Sequence, residues 1–132
     1  MNSRMMICAA LFGAGVVASH DAALAGAADY VFEPVKVAVK SGAGSELAVR
    51  LMHKPSNKAV DGAIVFRTRL DMSPDAMGDM TASVEPMPAA PDGVYRFKAD
   101  LTMAGRWALK LMAKVPGESE TVEGSIVFQA ED

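Results

Sequence analysis

Cysteine is nearly absent from this 132-residue chain. Cys8 stands alone, which excludes an internal disulfide framework and any zinc site built on several thiolates. Histidine is scarce too, with only His20 and His53. Aromatic residues make up 6% of the chain and Trp107 is the only tryptophan, so aliphatic side chains and methionine must supply most of any core. Charge is close to balanced: 13 Lys and Arg against 16 Asp and Glu give a formal charge of −3. This mild acidity argues against binding nucleic acid through its phosphates, which requires a concentrated basic surface. An apolar run of the roughly 20 residues that span a bilayer is also missing. The longest run, residues 5–18, has 14 apolar or small residues.

That short run has a context of its own. Arg4 precedes it, and Ala23-Leu24-Ala25 follows. A charged start, a short apolar centre and a small-residue cleavage site are the three parts of a secretory signal peptide. We therefore expect residues 1–25 to direct export and residues 26–132 to form one periplasmic domain; an uncleaved N-terminal anchor is the alternative. Cys8 lacks the small-residue surroundings of a lipoprotein cleavage site. Removing the leader takes both Cys8 and His20, so the working chain is free of cysteine and His53 is its one histidine. Its 107 residues contain 24 Val, Ile, Leu and Phe, just above the roughly 20% below which chains stay disordered.

Period-two alternation marks a half-buried strand, because successive side chains point to opposite faces. Val35, Val37 and Val39 alternate with lysines and alanine, and Leu47, Val49 and Leu51 alternate on the other side of a glycine-rich break. Ile64, Phe66 and Leu70 are expected inward, with Arg67 and Arg69 outward. A short strand over 81–85 precedes Pro86, Pro88 and Pro91, which form a stiff connector closed by Asp92-Gly93. Tyr95, Phe97, Ala99 and Leu101 alternate next, then Trp107, Leu109 and Leu111, then Val122, Ile126 and Phe128. Seven short strands without a helical stripe predict an all-β, immunoglobulin-like sandwich.

In such a sandwich successive loops fall at alternate ends. Residues 41–45, 71–80 and 102–105 share one end, which gathers Met72, Met77, Met80 and Met103 there. Met52, His53 and Met87 go to the other end. Thioether sulfur is a soft, neutral ligand suited to Cu(I). The four methionines therefore make a candidate copper site. Residue chemistry alone favours a blander task, plugging the open end of a small core, since flexible thioethers fill irregular gaps; an adaptable contact surface is the third reading. Asp71, Asp75 and Asp79 in the same loop offer hard oxygen ligands, but their spacing is not that of an EF-hand loop. Their simplest roles are solubility and turn formation. Met52 and His53 are adjacent on a strand, point to opposite faces, and chelate one ion poorly. No thiol nucleophile survives export, no nucleophile elbow surrounds any serine, and no phosphate-cradling glycine loop precedes a helix, so catalysis is not expected.

The loop 71–80, the step Asp92-Gly93-Val94-Tyr95-Arg96-Phe97 and the step Thr102-Met103-Ala104-Gly105-Arg106-Trp107 together resemble the YtkA-like/FixH-like family of exported bacterial domains. The stretch 58–69, with Asp61-Gly62-Ala63-Ile64-Val65-Phe66, is similar to that family's third strand. Departures are Thr102 where proline is usual, aspartates interleaved in the methionine loop, and the lack of a clear anchoring helix. The resemblance implies a small periplasmic immunoglobulin-like domain and strengthens the metal reading, with Met103, Met77 and Met80 at matching positions. It also implies association with a membrane metal-transport, efflux or oxidase-assembly complex. A metal-free interaction module and a carrier of a small apolar ligand are the other functions considered. Edman sequencing of the exported protein is expected to begin at Gly26; a start at Met1 would favour the retained anchor.

Overall fold

A computed structural model describes residues 27–88 and 92–132. The expected leader lies outside the described residues, as do positions 89–91 of the proline connector. Ten strands form two facing sheets. The first sheet has the order β1 (Tyr30–Pro34), β3 (Gly42–His53), β8 (Val94–Leu101) and β7 (Val84–Pro86), with β4 (Lys58–Ala59) also pairing to β3. The second runs β2 (Ala38–Lys40), β10 (Thr121–Glu131), β9 (Gly105–Lys114), β5 (Ile64–Met72) and β6 (Met77–Ala82). All pairs are antiparallel except β2 with β10. This is the strand arrangement of an immunoglobulin-like sandwich, here without the disulfide that often joins its sheets.

Alternation governs the core. Tyr95, Phe97, Ala99 and Leu101 of β8 face Trp107, Leu109, Leu111 and Ala113 of β9, and all are buried. Trp107 and Phe128, register partners across β9 and β10, are the bulkiest pair at the centre. Fully burying each such large side chain contributes about 1.5–3 kcal/mol, so the absence of a disulfide is compensated by packing.

Three expectations need correction. Val35 and Val37 are exposed, because the chain crosses between sheets there: Val35 N–H donates to Ala48 of the first sheet, while Val37 C=O accepts from Gln129 of the second. Ile64 and Phe66 also point away from the core. A β-bulge between Val65 and Arg67 adds one residue to β5, and one added residue reverses the inward–outward phase. Val65 therefore packs on the core in their place. Third, the segment 71–80 is not wholly a loop, since β5 enters it as far as Met72 and β6 leaves it from Met77.

One flank of the sandwich closes where Phe32 of β1 lies against Gly124 of β10. A Cβ on Gly124 would stand 2.5 Å from Phe32 Cδ2. Phe32 Cγ and Cβ stand 3.2 and 3.3 Å from that position as well, so turning the ring cannot clear it cheaply. Gly124→Ala is expected to cost about 1–3 kcal/mol by overpacking, read as a lower urea midpoint at unchanged slope.

Candidate functional site

The segment between β5 and β6 is a short 3-10 turn, Ser73–Asp75, followed by Ala76 in the left-handed region at φ 58°. Pro74 sits in the first turn, where its missing N–H costs nothing. Two carboxylates shape everything around it. Asp71, at the end of β5, has a side chain only 1% exposed. Its Oδ1 accepts from the Ser73 backbone N–H at 3.0 Å, an Asx-type turn. Its Oδ2 accepts from Arg69 Nε at 2.8 Å and Lys110 Nζ at 3.0 Å. Burial alone would raise the affinity of this carboxyl for a proton. The hydrogen bonds from Ser73, Arg69 and Lys110 outweigh that desolvation and hold it well below the usual carboxylate range. Arg69 Nη2 also reaches Gly78 C=O at 3.1 Å, tying the start of β6 to β5.

Asp75 makes the second clamp. Its two oxygens accept from the backbone N–H of Arg106 at 2.8 Å and from Arg106 Nε at 2.7 Å. Arg106 Nη2 then donates to Pro74 C=O at 2.8 Å. These backbone and side-chain bonds from Arg106 lower the Asp75 pKa. The contact requires Gly105 just before: a Cβ there would stand 2.5 Å from Met72 Cε and 2.9 Å from Asp75 Oδ2, and its φ of 139° also favours glycine. Trp107 Nε1 donates to Met103 C=O at 3.1 Å and pins the β8–β9 turn.

Segments 71–80 and 102–105 thus meet at one end of the sandwich, where residues 41–43 join them. A groove of about 490 Å³ there is lined by Ser41, Asp100, Thr102, Met103 and Asp132 among others. Of the four methionines assigned to this end, Met72 is fully buried and belongs to the core, opposite Met77 in the β5–β6 register. Met77, Met80 and Met103 are 37%, 41% and 40% exposed. Met87 is exposed on the proline connector that follows β7. The His53 ring lies 5.1 Å from that of Tyr30, tilted by 53°, and its Nδ1 lies 2.6 Å from Ser56 Oγ.

The aspartates do not form a hard-metal site. Among the described residues no group of three or more His, Cys, Asp or Glu is placed to hold an ion. Asp71 and Asp75 are committed to cations and backbone amides of the chain itself. Reading from the sequence assigned them only turn formation and solubility. Their partners Lys110 and Arg106 lie 39 and 31 residues away, beyond the reach of any local pattern.

The family model described as YtkA-like matches residues 25–112, about two thirds of the chain, and the protein belongs to that family. No curated protein matches the sequence. The match takes in β1 to β8, the 71–80 segment and most of β9.

Asp71→Asn removes the charge but keeps the shape, and is expected to cost about 2 kcal/mol at neutral pH, the scale of hydrogen bonds to charged groups. The folded carboxyl has its pKa depressed below the unfolded value of 3.8. Its contribution is therefore complete above that value and is lost as pH falls toward the folded pKa. Urea unfolding of the two proteins should differ at neutral pH and converge in acid.

Proposed function

We propose that this YtkA-like protein is an exported copper-handling accessory, acting by binding rather than catalysis, which takes Cu(I) on Met77, Met80 and Met103. The observation that carries this reading is the exposure of those three thioethers, Met77 and Met80 on β6 and Met103 on the β8–β9 turn, on segments that Asp75 and Arg106 join. Exposed methionine leaves apolar surface in water and does nothing for a turn, so three at one end call for a use. Their donor chemistry fits a soft monovalent ion and fits Zn(II) or Mg(II) poorly. Thioethers carry no proton, so the set would hold Cu(I) in an acidified compartment where histidine or thiol ligands would be lost to protonation.

The remaining residues of this end would act as support. Asp71 and Asp75 would hold the backbone that carries Met77 and Met80, and Trp107 the turn that carries Met103. Met72 would form the apolar floor. The N-terminal signal-like segment supports delivery to the periplasm, and no helix among the described residues is long and apolar enough to cross a membrane. The partner in this reading is a membrane metal-transport or oxidase-assembly complex that gives or receives the ion.

Competition for Cu(I) with a chromophoric chelator tests the reading. The wild type is expected to retain metal, with retention unchanged at mildly acidic pH. A Met77→Leu/Met80→Leu/Met103→Leu variant, which conserves volume, should lose it, and Met87→Leu should behave as wild type. Retention by the triple variant would exclude this ligand set. If the wild type holds no metal but still captures a membrane complex through Met77, the protein is a metal-free interaction module.

A further inference from the structure

The outer face of the second sheet departs from the acidic character of the chain. Ile64, Arg67 and Arg69 of β5 have Lys114, Met112 and Lys110 as register partners on β9. Glu123 and Ser125 lie across from Met112 and Lys110 on β10. Four cations thus occupy this face against exposed Glu123 and the buried Asp71, in a chain whose formal charge is −3. Among the described residues Arg67 has neither a hydrogen-bond nor an ion-pair partner, and Arg69 and Lys110 keep donors beyond those given to Asp71. Arg67, Arg69, Lys110, Met112, Glu123 and Ser125 line a groove of about 480 Å³.

Beside this basic stripe stand two of the most exposed apolar side chains. Ile64 is 68% exposed, and Phe66, the extra residue of the β5 bulge, is 52% exposed. A lone exposed apolar residue is ordinary. An aromatic and a β-branched residue next to each other, at one end of a stripe of cations, match what a bilayer interface selects. Apolar side chains enter the boundary between headgroups and acyl chains, while Arg and Lys remain with the phosphodiesters.

We propose that this face is a peripheral membrane-binding surface for anionic phospholipid, with Ile64 and Phe66 entering the interface and Arg67, Arg69 and Lys110 receiving a headgroup in the groove. The methionine end lies on β6 and the β8–β9 turn and is joined to this face through Arg69, Lys110 and Asp71. Arg67 and Phe66 take no part in that joint, so substitutions there report on this surface alone. An acidic protein would satisfy the cations but gives no reason for Ile64 and Phe66 to stand beyond them.

The test is co-sedimentation of the exported protein, purified as the cell delivers it, with vesicles of mixed phosphatidylglycerol and phosphatidylcholine and with phosphatidylcholine alone. Binding is expected to the anionic vesicles and to weaken as salt is raised, because exposed charges are screened. Arg67→Glu and Phe66→Ser should each weaken it by roughly tenfold. Arg50→Glu, the same charge change on the first sheet, should leave it unaltered. Equal thermal unfolding of the Arg67 and Arg50 variants would establish that misfolding is not the cause. Equal binding to both vesicle types, no binding at all, or wild-type binding by Arg67→Glu would overturn the proposal. Displacement by inorganic phosphate at matched ionic strength would also overturn it, in favour of a free-anion site.

Discussion

Arg69 and Lys110 stand directly opposite one another on β5 and β9, where like charges repel. The carboxylate of Asp71 lies between them, almost wholly removed from water, and converts that repulsion into a bridge of charge-assisted hydrogen bonds. The same carboxylate receives the Ser73 amide and so starts the turn that ends β5. Through Arg69 it also steadies Gly78 at the beginning of β6. Removing water from an unpaired charge is costly, so the arrangement persists only with all three donors in place. Asp75 and Arg106 repeat the pattern a few residues on, joining the turn to β9. The end of the sandwich is thereby held by two carboxylates where many secreted domains would use a disulfide.

This construction explains the mixed composition of the 71–80 segment. Aspartates alternate with methionines because the two residue types do different work. Asp71 and Asp75 fix the backbone, and Met72 fills the space left open by Gly105. Met77 and Met80 remain at the surface with Met103 from the adjoining turn. In the proposed copper reading, a fixed frame beneath soft, exposed donors would leave little further ordering for the ion to impose. The broad face of the second sheet shares Arg69 and Lys110 with this frame but is itself basic with an apolar tip.

Much of the fold was legible in the sequence. Alternation located β3, β8, β9 and β10, and the inward set on those strands was read correctly down to Trp107. Alternation failed where the chain departed from a regular strand. At Phe66 a single inserted residue shifted the phase, and no residue type announces such a bulge. At Val35 and Val37 a strand-like pattern lay on a crossing between sheets. β1, which ends at Pro34, and the two-residue β4 were too short to show a period.

Composition by itself excluded an internal disulfide, since Cys8 has no second cysteine to pair with, and local pattern by itself determined an all-β sandwich. The second conclusion follows from the period of side chains along a strand, which is a local property. Which methionine is core and which are surface, and that two loop aspartates are structural anchors, were decided only by the tertiary structure. The reason is that burial and charge pairing depend on register between strands that are 30 to 40 residues apart in sequence. Met72 and Met77 are alike in local surroundings, yet only Met72 lies over Gly105, and that contact separates core from surface.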